Sequence, residues 1–130
     1  MAPGKLLVDT SVVVDFFHGD QTLAWMLEQS QPVYVPVVVL GELLAGARRS
    51  QRIAENVQQV EEFAKRNIVL SCDHVTASHY ADILNQLRAR GKPIPENDIW
   101  IAAVATQHGF PIATRDAHFD EVESLLRVPC

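Results

Sequence analysis

Cysteine is nearly absent. Cys72 and Cys130 are the only two in 130 residues, too few for a disulfide framework, so both read as free thiols. No apolar run approaches the roughly 20 residues of a membrane span, which excludes a transmembrane helix. The opening stretch MAPGKLLVDTSVVVDFF lacks the layout of a signal peptide, because Asp9 and Asp15 interrupt its apolar part. A cytoplasmic location is the expectation. Positive charge is in deficit. The net charge of −5 argues against a basic module that simply coats nucleic acid, though not against a nucleic-acid enzyme that neutralises phosphate with metal ions. Low-complexity runs, internal repeats and linkers are also missing, so one domain over residues 1–130 is expected.

What is present is a compact-fold composition, 48 % apolar and 21 % charged, in a chain long enough for a real core. Leu6-Leu7-Val8 reads as a short buried strand, Val33-Tyr34-Val35, Ile68-Val69-Leu70 and Ile112-Ala113-Thr114 as further short strands, and Leu125 to Val128 as a final edge strand. Helical patterns fill the intervals: Val12 to Phe17 capped by Thr10-Ser11, Gln21 to Gln29, Val37 to Arg49, Ser50 to Asn67, and His74 to Arg90 capped by Asp73. Strands alternating with helices predict an α/β fold, a three-layer α/β/α sandwich around a mainly parallel sheet of four to five strands.

The chain is organised around Pro95 to Phe119. Pro95-Glu96-Asn97 starts a helix and His108-Gly109 ends it. Ile99 to Ala105 is apolar on nearly every face, so this helix should be buried almost all round. Asp98 therefore sits in the first turn of a buried helix, with no Lys or Arg one turn on. Asp116 follows the fourth strand and Asp9 the first, at the carboxyl edge where parallel sheets place their ligands. Glu42 lies one helical turn from Val38, Val39, Ala45 and Gly46, pointing from an apolar face with small residues beside it.

Taken singly, each acid has an ordinary role. Asp9 caps a helix, Glu42 pairs with Arg48 or Arg49, Asp98 favours a helix dipole, and Asp116 fills a turn. Together they put several carboxylates at one sheet edge, where burial and like-charge repulsion cost several kcal/mol unless a divalent cation joins them. Oxygen ligands without Cys or His nearby favour Mg²⁺ or Mn²⁺ over zinc. Such an ion activates a water and neutralises phosphate, the needs of phosphodiester hydrolysis.

The blocks LLVDTSVVVDFF, VLGELLAGAR, ENDIWIAAVA and IATRDAHF, in that order and spacing, resemble the PIN-domain family, and within it the VapC-type toxins of toxin–antitoxin pairs. The resemblance implies a Mg²⁺- or Mn²⁺-dependent endoribonuclease that leaves 5′-phosphate ends on a structured RNA such as tRNA or rRNA. It also implies a cognate VapB-type antitoxin and a homodimer. Its acidic positions fall on Asp9, Glu42, Asp98 and Asp116, with Ser11 and Thr114 as hydroxyl neighbours.

Arg48, Arg49 and Arg115, with Arg52, Arg88, Arg90 and Lys92, are candidates to bracket the site and contact phosphates. His118 reads as a solvent-facing turn residue, and Trp25 and Trp100 as core. Two rivals are a Mg²⁺-binding receiver-like module and an inert PIN-like subunit. The first needs a paired acidic cluster after the first strand and a lysine after a late one, where Arg115-Asp116 stands, and has no need of the helix-borne Glu42. An aspartyl-phosphate phosphatase would need a second Asp where Ser11 stands.

Overall fold

A computed structural model describes residues 4–130. Five strands form one sheet in which every pairing is parallel: β1 Leu7–Val8, β2 Tyr34–Pro36, β3 Ile68–Leu70, β4 Ile112–Ala113 and β5 Arg127–Val128. Their order is β3-β2-β1-β4-β5. Six helices flank the sheet: α1 Thr10–Phe17, α2 Gln21–Gln29, α3 Val37–Arg48, α4 Ile53–Arg66, α5 His74–Ala89 and α6 Glu96–His108. A 3₁₀ turn, Ala117–Glu121, follows β4.

This order matters for function. From β1 the chain moves outward through β2 to β3, then returns across β1 to lay down β4 and β5 on its other side. Right-handed crossovers put the connections of these two halves on opposite faces of the sheet. The crevice between β1 and β4, where the direction reverses, is where such sheets bind ligands. Leu7 pairs with Ile112 and Val8 with Ala113, so the next residues on the two strands, Asp9 and Thr114, emerge side by side.

The central strands β1 and β4 read as uninterrupted apolar runs because both faces are covered, whereas the edge strand β3 leaves Ile68 and Val69 exposed. Leu6, Leu7, Val8, Ile112 and Ala113 have no solvent exposure. The α6 helix is buried on most sides, as its sequence predicts, through Ile99 and the run Ile101 to Ala105. Gly109 ends it with φ +67°, a left-handed conformation that glycine adopts at no steric cost. Phe119, also fully buried, pins the 3₁₀ turn to the core and so fixes the segment from Asp116 to His118.

Three local expectations change. The α1 cap is Asp9 rather than Thr10-Ser11: its carboxylate accepts the Val12 N–H, and the two hydroxyl residues lie inside the helix. Trp25 is not core. It is 65 % exposed on the outer face of α2. Trp100 is half-buried, stacked on Tyr80 with ring centres 4.1 Å apart.

Candidate active site

Asp9 is the most constrained acid. It is 2 % exposed, at the end of β1. The Ser11 hydroxyl lies 2.8 and 2.9 Å from its two oxygens, the Val12 N–H donates to Oδ1 at 3.0 Å, and the Thr114 hydroxyl donates to Oδ2. The donors are themselves held. The Arg115 backbone N–H donates to Ser11 Oγ, and the Asp116 N–H donates to Thr114 Oγ1. The ends of β1 and β4 are thus stitched together through one carboxylate. Burial pushes the Asp9 carboxyl above its ordinary value, and the nearby Asp116 adds to this, while the hydrogen bonds from Thr114, Val12 and Ser11 oppose it.

Glu42 reaches the same edge from α3. Its Oε1 accepts the Thr10 hydroxyl at 2.7 Å, so its partner is Thr10 rather than Arg48 or Arg49. Asp98 stands in the first turn of α6, and Asp116 caps the 3₁₀ turn by accepting the His118 N–H. The Asp98 carboxyl is pushed up to about 6, first by burial and then by the negative charge of Asp116, with Glu42 and Asp9 adding; His118 acts in the opposite sense. Asp9, Glu42 and Asp116 therefore all lie close enough to Asp98 to act on its carboxyl. Glu42, Asn97, Asp98, Asp116 and His118 line one open cleft of about 440 Å³.

Two residues in contact with these acids carry roles that sequence reading missed. Thr10 anchors Glu42, and a hydroxyl immediately after Asp9 was its only signal. His118 departs from expectation more sharply. Its ring Nδ1 lies 2.8 Å from Asp116 Oδ1 and 3.4 Å from Asp98 Oδ2. The expectation that no histidine lies near the acids is corrected by this contact. The two-residue step from Asp116, with buried Phe119 next, was the available signal.

The arginines divide. Arg115 is engaged away from the acids: its guanidinium pairs with Asp15 at 3.0 Å and Asp20 at 2.7 Å and donates to the Cys130 carbonyl. The expectation that it contacts phosphate gives way to a tie between the β4 end and the α1–α2 corner. Arg90 pairs with Glu121 and Glu123. Arg48 and Arg49 are exposed at the end of α3, without an ion pair among the described residues.

The donor set fits a hard divalent ion. Among the described residues, no lysine or arginine forms an ion pair with Asp9, Glu42, Asp98 or Asp116. Clustered carboxylates without such a partner call for another cation.

Comparison with known proteins agrees with the geometry. The PIN domain family model matches residues 6–125. The chain belongs to the PIN domain family. It is 31 % identical over 121 residues to VapC ribonuclease Y4jK of Sinorhizobium fredii (strain NBRC 101917 / NGR234), covering 85 % of this chain and 86 % of the relative. VapBC-5 from Mycobacterium tuberculosis, solved as a member of the VapBC family of toxin–antitoxin systems, has a chain of 28 % identity. It aligns with a TM-score of 0.75 over 96 % of this chain and 98 % of that one. The fold also matches a chain of the DNA-bound VapBC structure from Salmonella typhimurium, with a TM-score of 0.90, 24 % identity, and 95 % and 96 % coverage. No helix among the described residues is long and apolar enough to cross a membrane.

Proposed function

We propose that this PIN domain is a divalent-metal-dependent endoribonuclease toxin, neutralised by a VapB-type antitoxin. The observation that carries the reading is the convergence of Asp9, Glu42, Asp98 and Asp116 at the crevice between β1 and β4, with Asp98 feeling the charge of the other three. Similarity to a VapC ribonuclease and to a VapBC toxin–antitoxin chain supports the class of substrate and of partner.

In this reading Asp9, Glu42 and Asp98 hold the principal Mg²⁺ or Mn²⁺, and Asp116 completes the set. When bound, the ion supplies a nucleophilic water at neutral pH and charge neutralisation on the phosphate. The protein's part is preorganisation. Asp9 cannot turn without breaking its bonds to Ser11, Val12 and Thr114, and Thr10 holds one oxygen of Glu42. Arg48 and Arg49 grip backbone phosphates beyond the acidic hole.

The same acidity provides for inhibition. A groove of about 380 Å³ between α1, α3 and α4 has apolar walls at Val14, Phe17, Leu43 and Val60 and shares Thr10 and Glu42 with the site. An antitoxin segment laid along it could present an arginine or lysine to the carboxylates.

The deciding experiment incubates antitoxin-free protein with total cellular RNA, with Mg²⁺, with Mn²⁺ or with EDTA, beside Asp98→Asn. Discrete fragments with 5′-phosphate ends, dependent on metal and on Asp98, are the expected result. Their ends identify the RNA. Cleavage undiminished by EDTA, or retained by the Asn variant, overturns the reading.

A further inference from the structure

We propose that His118 is a ligand of the divalent ion in the acidic cleft, giving the site an imidazole nitrogen beside Asp98 and Asp116 and a preference for Mn²⁺ over Mg²⁺. This rests on the metal-dependent reading above and adds to it a donor of a different element.

The observation is one of spacing. Donors at neighbouring corners of an octahedral ion with bonds of about 2.1 Å lie about 3.0 Å apart, and opposite corners about 4.2 Å. The His118 Nδ1 stands 2.8 Å from Asp116 Oδ1 and 3.4 Å from Asp98 Oδ2. One ligand atom from each of the three residues falls within 4.8 Å of the others. A histidine that merely hydrogen-bonds a turn carboxylate needs one acceptor. Here the ring nitrogen faces two carboxylates carried on separate elements, the first turn of α6 and the segment after β4.

The backbone favours the same placement. The His118 N–H donates to Asp116 Oδ1 at 2.9 Å, and the neighbouring Phe119 is fully buried, so the segment bearing the ring is anchored at both ends. The ring itself stays half-exposed, with room to settle onto an ion without disturbing the core. Imidazole nitrogen is a better donor to first-row transition ions than to Mg²⁺, which prefers oxygen. The added ligand therefore strengthens Mn²⁺ binding more than Mg²⁺ binding.

The test reads the ion directly, without RNA. Full-length protein loaded with Mn²⁺ is measured by pulsed electron paramagnetic resonance, unlabelled and with ¹⁵N-histidine. A nitrogen coupling that changes with the label and disappears in His118→Ala is the expected signature. The Mn²⁺ dissociation constant of that variant should rise about tenfold or more, with a smaller change for Mg²⁺. Mn²⁺ bound by the wild-type protein, and lost in Asp98→Asn, with no histidine nitrogen coupling reduces His118 to a hydrogen-bond partner of Asp116 and overturns this inference alone. Protein that binds neither ion overturns the metal-dependent reading on which it stands.

Discussion

The Thr114 hydroxyl donates to Asp9 across 105 residues of sequence, joining the ends of the two strands that flank the crevice. In the same step Thr114 Oγ1 accepts the Asp116 N–H, so one side chain sets the distance between two of the four acids. Thr114→Val keeps the shape and removes the hydroxyl. A hydrogen bond to a charged group is worth about 1.5–3 kcal/mol, so the RNA cleavage rate should fall by about tenfold to a hundredfold. Thr114→Ser, which restores the donor, should recover most of it. A Val variant that cleaves at the wild-type rate removes Thr114 from the site.

Burial of Asp98, with repulsion from the neighbouring acids, makes metal-free stability depend on pH in a predictable sense. The Asp98 carboxyl is raised from 3.8 to about 6, so the folded protein holds its proton more tightly than the unfolded chain does. That contribution is fully present below about pH 3.8 and is lost as pH rises through about 6. Asp98→Asn mimics the protonated form at every pH. In EDTA, its melting temperature should match that of the wild type near pH 4 and exceed it by a few degrees at pH 7. Mn²⁺ should raise the wild-type value at pH 7 and do much less for the variant. A melting difference that does not vary between those two pH values contradicts the burial and charge crowding of Asp98.

Arg115 separates scaffolding from substrate contact. With its guanidinium committed to Asp15 and Asp20, Arg115→Ala should lower the melting temperature by a few degrees and leave the affinity for RNA unchanged at temperatures where the variant is folded. Thermal melts and a binding assay measured side by side decide it. Lost affinity with an unaltered melt would return Arg115 to the phosphates.

The fold was legible because its elements carry unambiguous periods. Buried parallel strands read as solid apolar runs, and α6 reads as apolar on nearly every face from Ile99 to Ala105 because that stretch is buried on most sides. The four acids were legible for a related reason: charge at a strand end or on an apolar helix face contradicts its surroundings. Thr10 and His118 were not, since a hydroxyl or imidazole near a turn breaks no local rule. Their partners lie 32 and 20 residues away along the chain, for Glu42 and Asp98 respectively, and only the packing of α3 and α6 against the sheet edge brings them together. Arg115 misled for the opposite reason. Adjacency to Asp116 in sequence placed it at the site, while Asp15 and Asp20, about 100 residues earlier, took its charge.

The same logic leaves Arg48 and Arg49 as the candidate cations for substrate. They sit six and seven residues beyond Glu42, about 9 to 10.5 Å along the helix axis at 1.5 Å per residue, and among the described residues no acid pairs with them. Their competing role is to complement the negative end of the α3 dipole, where charge reversal would lower stability and leave RNA alone. Reversing both to Glu in the Asp98→Asn background, which should bind without cutting, distinguishes the two roles. Phosphate contact predicts weaker RNA binding at all sequences. It also predicts a salt slope shallower by about 0.7–1 for each phosphate that is no longer neutralised, because fewer counterions are released. A slope that does not move, with a lower melting temperature, assigns both arginines to the helix end.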